Sequence, residues 1–118
     1  MNMHVSIAGL ELKNPVMTAS GTFGFGLEFA PYGDLEALGG FVAKGISLKP
    51  REGNPMPRIA ETPCGMLNAI GIQNPGVEAF VTQALPALKR KDVAVVANLY
   101  ACDAAEFGEL AGVLAGEE

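Results

Sequence analysis

Hydrophobic and polar positions fall into blocks of two different periods along the chain. Val5 to Leu12 alternates around Ala8-Gly9, which predicts a small antiparallel hairpin with its turn at the glycine. Asn14 to Ala19 has an apolar centre, Val16-Met17, and reads as a short buried strand. A glycine-rich loop follows from Ser20 to Gly26. Leu27 to Leu38 reads as a short helix broken at Pro31 and Gly33. Gly40-Phe41-Val42-Ala43-Lys44 is a second buried strand and ends on a lysine. From Gly45 to Asn74 the period is lost, with Pro50, Pro55, Pro57 and Pro63 along the way. A connection of that length is either functional or disordered, and its apolar groups Met66-Leu67 and Ile70-Gly71-Ile72 favour an ordered functional loop. Asn74-Pro75-Gly76 opens a helix, with Asn as N-cap and Pro in the first position. Val77, Phe80, Val81, Ala84, Leu85 and Leu88 then recur at helical spacing, and Pro86 predicts a kink or an end. Asp92 to Asn98 is the clearest strand. Asp103 is placed to cap a last helix, with Glu106 at the capping-box position and Phe107, Leu110, Ala111 and Leu114 on its apolar face.

Strands that alternate with helices and are apolar throughout imply a parallel sheet and the α/β class. Such units begin either a doubly wound sheet or a (β/α)₈ barrel. A complete barrel takes roughly 250 residues, so 118 residues supply only the first three or four units. Hydrophobic residues at 49% and charged residues at 18% fit a packed core and argue against disorder. The net charge of -5 and the thin scatter of basic residues exclude a nucleic-acid surface. The one basic cluster, Lys89-Arg90-Lys91, follows a helical pattern and reads as a solvated helix end favoured by the helix dipole. No apolar run approaches the ~20 residues that span a bilayer, and the start has no signal-peptide pattern. Cys64, Cys102 and His4 have no metal-ligand spacing. The expectation is therefore a cytoplasmic protein with free thiols, no metal and no membrane segment.

Three polar residues stand at the carboxyl ends of predicted strands: Ser20, Lys44 and Asn98. In barrels that end carries the active site. Taken singly, each also suits a turn, a surface or a loop start. The loop Gly21-Thr22-Phe23-Gly24-Phe25-Gly26 has neither the G-x-G-x-x-G spacing nor a P-loop lysine, but its glycines allow a flat ligand to approach the backbone. No His or cation near Cys64 or Cys102 in sequence would activate either thiol. Phe23, Phe25, Phe29, Phe80 and Phe107 read as packing, since no basic residues interleave with them.

Three segments, in order, resemble the class 1 dihydroorotate dehydrogenases. Asn14 to Gly24 resembles the family's start, Lys44 to Pro55 its flavin-lysine loop, and Gly65 to Gly76 its substrate loop. Thr18-Ala19-Ser20-Gly21-Thr22-Phe23-Gly24 resembles the NAD-linked, two-subunit subclass (class 1B) more than the fumarate-linked one. The resemblance implies a (β/α)₈ barrel, preceded by the small hairpin, that carries FMN at its carboxyl face and oxidises dihydroorotate to orotate in pyrimidine synthesis. It places Ser20, Gly21, Lys44, Gly45 and Asn98 against FMN. It places Lys44, Asn68, Ala69, Ile70, Gly71 and Ile72 against the substrate. It also implies a partner subunit with FAD and a [2Fe-2S] cluster that passes electrons to NAD, and a dimer of catalytic subunits within a heterotetramer.

The family's base is a cysteine in an Asn-x-Ser-Cys-Pro-Asn segment, expected after residue 118, and most of the FMN phosphate site is expected there too. Leu99-Tyr100-Ala101 departs from the small residues expected after Asn98. Residues 1–118 are thus expected to be an incomplete barrel domain, exposed along an open sheet edge. Two alternatives remain: a related FMN barrel of the dihydropyrimidine dehydrogenase type, and a non-catalytic barrel fragment. The isolated 118-residue segment is expected to show no dihydroorotate-dependent flavin reduction; bleaching of the flavin by substrate in that segment alone would contradict this.

Overall fold

The computed structural model describes residues 2–117. Two short strands, β1 (Val5–Ile7) and β2 (Leu10–Leu12), pair antiparallel with Val5 opposite Leu12. Ala8 and Gly9 both have positive φ, as a tight two-residue hairpin turn of that twist requires.

The body is a parallel sheet in the order β3 (Met17–Thr18), β4 (Gly40–Val42) and β7 (Ala94–Val96). Met17 lies opposite Gly40, and Gly40, Phe41 and Val42 lie opposite Ala94, Val95 and Val96. The strands are shorter than their apolar runs, but pairing continues beyond them: Ala43 donates its N–H to Val96 O at 2.9 Å, and Ile46 and Leu99 form a further parallel bridge. Two 3₁₀ turns, Leu27–Phe29 and Leu35–Ala37, replace the expected single short helix between β3 and β4. Pro31 and Gly33 separate them, and neither turn has a run long enough to propagate an α-helix.

Three further expectations need correction. The stretch Gly45–Asn74 is not irregular throughout: β5 (Ile59–Thr62) and β6 (Gly65–Asn68) form an antiparallel hairpin turning at Pro63-Cys64. Every residue of both strands is exposed, so no buried face imprinted an alternation on the sequence. The helix after this loop is capped at Gly76 rather than Asn74, whose side chain is engaged elsewhere. Of the kink or end expected at Pro86, the end does not occur, and regular α geometry is interrupted just before the proline. The helix runs from α1 (Val77–Ala79) through a π segment (Phe80–Ala84) into α2 (Leu85–Leu88). The wider π turn just before Pro86 relieves the clash between its ring and the carbonyl one turn back.

The last helix, α3 (Ala104–Ala115), starts as expected, with Asp103 accepting from Glu106 N at 2.9 Å. Glu106 reaches back one residue further than in the usual capping box, accepting from Cys102 N at 2.8 Å. Among the described residues no helix is long and apolar enough to cross a membrane.

The helices cover one face of the sheet. Phe41, Ala43 and Ile46 from the sheet side meet Val77, Phe80, Leu88 and Leu110 from the helices in one buried cluster. The glycine loop packs on it: the Phe25 ring lies 5.4 Å from Phe80, and Phe23 lies 5.7 Å from Phe41 and stacks on Phe29 at 4.5 Å. Phe41 is fully buried at the middle of the central strand. Phe41→Ala is expected to destabilise the fold by about 3–5 kcal/mol, measured by denaturant unfolding of the complete protein; a loss below about 1 kcal/mol would show that this cluster is not its core.

Candidate functional site

Parallel pairing puts the carboxyl ends of β3, β4 and β7 along one rim, and the chain leaving each strand carries a polar residue there. An open cavity of about 360 Å³ lies at that rim. Ser20 and Gly21 line it from the loop after β3, Lys44 and Gly45 from beyond β4, and Asn98 from beyond β7. Asn68, Ile70, Gly71 and Ile72 close it from the long connection, and Leu99 and Tyr100 complete the lining.

Backbone bonds hold these residues together. Lys44 donates its N–H to Gly24 O at 2.7 Å, which ties the lysine to the glycine loop. Ile46 N–H reaches Asn98 O at 2.8 Å, and Tyr100 N–H reaches Ile46 O at 2.8 Å. Gly45 thereby lies between two walls. A Cβ built on it would stand 3.5 Å from Ile72 Cγ2 and 3.6 Å from Asn98 Nδ2. Lys44 is half-buried, and its ammonium has no carboxylate partner among the described residues. Lys44 also lines a neighbouring cleft with Arg51 and Glu52.

The substrate-loop stretch has an asymmetric hydrogen-bond pattern. Ala69 O accepts from Asn54 Nδ2 at 2.9 Å, Ile70 O from Asn54 N at 3.1 Å, and Ile72 O from Asn74 Nδ2 at 2.9 Å. The N–H groups of Gly71 and Ile72 have no partner among the described residues. Carbonyls are tied back into the protein while donors are left over, so this wall suits a ligand rich in acceptors. Gly71 (φ +76°) is required here, because a Cβ would fall 2.8 Å from Asn54 N.

Ala69 differs from the other residues expected against the substrate. It does not line this cavity but an outer cleft beside Pro57 and Arg58, and its N–H donates to Arg58 O at 2.8 Å. Cys64 and Cys102 are exposed, free and away from the cavity.

Sequence reading missed two residues of this region. Tyr100 lines the cavity, and the Arg51 guanidinium lies over its ring at 4.8 Å from the centroid, a cation–π contact. Tyr100 stands two positions after Asn98, but Leu99 between them lines the cavity as well, so no period of two marked it. Arg51 is brought in by its backbone pairing with Asn74, which no local pattern announces.

A second cavity, about 390 Å³, lies between β7, the π segment and α3. Phe80, Leu85, Val95 and Leu114 line it, with Glu117 the only charged residue among the described residues, which bring no comparable set of polar groups together there.

Comparisons with known proteins identify the family. The model of the dihydroorotate dehydrogenase family matches residues 2–116. The chain is 75% identical over its whole length to the protein named dihydroorotate dehydrogenase B (NAD(+)), catalytic subunit, of Maridesulfovibrio salexigens, and covers 39% of it. It is 70% identical to the protein of the same name from Solidesulfovibrio magneticus, with 97% of this chain covered and 37% of the relative. Among solved structures, the ligand-free dihydroorotate dehydrogenase (DHODH) of Eimeria tenella superposes with a TM-score of 0.67 at 22% identity, over 96% of this chain and 35% of that one. The chain thus spans about two fifths of the length of the curated relatives it matches. With the family match running over nearly all of its residues, the chain belongs to the dihydroorotate dehydrogenase family.

Proposed function

We propose that this chain is the amino-terminal part of the FMN-binding (β/α)₈ barrel of an NAD-linked dihydroorotate dehydrogenase, and that the complete protein oxidises dihydroorotate to orotate in pyrimidine synthesis. The convergence of Ser20, Gly21, Lys44, Gly45, Asn68, Gly71, Ile72 and Asn98 on one cavity carries the reading.

The residues present fit a flavin. Gly21 leaves open space where a Cβ would be, and Gly45 has room for no more than one. A flat ring can therefore lie against the backbone at Gly21. Lys44, Asn98 and Ser20 supply donors for the acceptor-rich edge of such a ring. FMN, when bound, supplies the hydride acceptor.

The chain's own residues do the rest. Lys44 would hold a flavin at its acceptor edge and supply positive charge there, and the same ammonium would attract a substrate carboxylate. With no carboxylate partner among the described residues, that charge is available. Asn68 offers both a donor and an acceptor to a pyrimidine edge. The unpaired N–H groups of Gly71 and Ile72 add donors for ligand oxygens. Orientation by fixed groups of this kind lowers the entropic part of the barrier.

The proton acceptor is assigned outside residues 1–118, to a cysteine on a segment that closes the barrel. FAD and the [2Fe-2S] cluster are assigned to an electron-transfer partner subunit that reduces NAD. A dimer of catalytic subunits within a heterotetramer, working in the cytoplasm, completes the reading.

In the complete catalytic subunit, Lys44→Ala is expected to slow flavin reduction by dihydroorotate roughly 100-fold. Cys64→Ala is expected to change it less than about twofold. Stopped-flow flavin absorbance measures both, and equal small effects would remove Lys44 from the site. Asn98→Ala is expected to weaken FMN binding about tenfold, read by fluorescence titration of the apoprotein; unchanged affinity would place the flavin elsewhere. Turnover of uracil or thymine in place of dihydroorotate would replace this reading with a dihydropyrimidine-type dehydrogenase.

A further inference from the structure

Ile72 has φ +54°, a backbone conformation that β-branched residues rarely adopt. Such a residue persists only where its surroundings hold it, and strain of this kind gathers at functional sites. The Ile72 carbonyl accepts one hydrogen bond among the described residues, from Asn74 Nδ2 at 2.9 Å. We propose that Asn74 is a positioning residue that clasps the left-handed turn at Gly71-Ile72 and so sets the shape of the substrate wall. What that wall binds rests on the functional reading above.

Asn74 is fixed firmly enough to do this. It is 5% exposed. Its Oδ1 accepts from Ser47 N at 3.1 Å and from Gly76 N at 3.0 Å, so one side chain joins the segment after β4 to the start of the helix. Its Nδ2 also donates to Ser47 Oγ at 2.8 Å, and Ser47 Oγ donates to Lys49 O at 2.7 Å. Its backbone pairs with Arg51 in both directions. Asn74 lies outside the cavity lined by Gly71, Ile72 and Asn98, in the neighbouring cleft beside Arg51, so it reaches the substrate wall through Ile72. An N-cap assignment hides this role, because Gly76 is the N-cap and the Asn74 Nδ2 faces the loop that precedes the helix.

Asn74→Asp removes both Nδ2 donations, to Ile72 O and to Ser47 Oγ, and the Ile72→Asn background isolates the part that acts through the turn. The aspartate keeps an acceptor for Ser47 N and Gly76 N but turns an oxygen towards the Ile72 carbonyl. In the complete flavin-loaded catalytic subunit, orotate binding is read from the flavin absorbance change. Asn74→Asp is expected to raise the orotate dissociation constant about tenfold with FMN retained. Asparagine adopts positive φ far more readily than isoleucine, so Ile72→Asn makes the clasp less necessary. Against an Ile72→Asn parent, Asn74→Asp is expected to raise the constant less than about threefold. A tenfold effect in both backgrounds, or in neither, overturns the positioning role. Should Asn74→Asp not be recovered folded with its flavin, thermal unfolding of Ile72→Asn decides: a Tm above wild type supports a clasped, strained turn, and a Tm below it overturns one. A wild-type subunit whose flavin responds to neither orotate nor dihydroorotate overturns the functional reading instead, and the Ile72→Asn melting temperature still tests the clasp.

Discussion

Everything at the candidate site depends on the parallel register of β3, β4 and β7. Parallel strands share a direction, so whatever follows each strand is delivered to one rim. The loop after β3 brings Ser20 and Gly21 there, the extension of β4 brings Lys44 and Gly45, and the extension of β7 brings Asn98. The register is held by burial on the helix side: Phe41 packs at the sheet centre against Phe80 and Leu110 within one cluster, and a one-residue slip would turn that ring to the other face. The apolar cluster thus aligns a lysine and an asparagine that it does not touch by sequence.

The remaining wall is built on a different principle. Residues 68–72 belong to no strand of the parallel sheet, so their position comes from polar ties. Asn54 holds two of their carbonyls and Asn74 a third, while Arg58 holds Asn54 through a bond from its guanidinium Nε to the Asn54 carbonyl. These ties reserve N–H groups for whatever enters the cavity. They also sustain a left-handed isoleucine, which solvent-exposed loops seldom contain. The β5–β6 hairpin stands above this wall with Ile59, Met66 and Leu67 exposed.

How much of this was readable from the sequence follows the same division. The parallel core was legible, because Gly40–Lys44 and Asp92–Asn98 are apolar runs with polar ends, and burial writes that pattern directly. Ser20, Lys44 and Asn98 were found for that reason. The Asp103 cap was legible from four residues. The hairpin at 59–68 was not, since neither face is buried and nothing selected an alternation. The passage of the helix through Pro86 depends on a π turn, which residue spacing does not encode. Asn74 carried a strong local signal for capping that tertiary bonding to Ser47 and Ile72 overrode. Ala69 sits in the motif with its neighbours but turns outward, because strand pairing into β6 fixes its direction and a motif does not.

The central claim is that the rim of the parallel sheet holds the flavin and its substrate together. A crystal structure of the complete catalytic subunit with FMN and orotate tests it most directly. The account predicts the flavin edge within hydrogen-bond distance of Lys44 Nζ and Asn98, with orotate lodged against Asn68 and the Gly71-Ile72 turn. A flavin or orotate seated elsewhere, such as the apolar cavity beside α3, with Lys44 left in solvent, would contradict it.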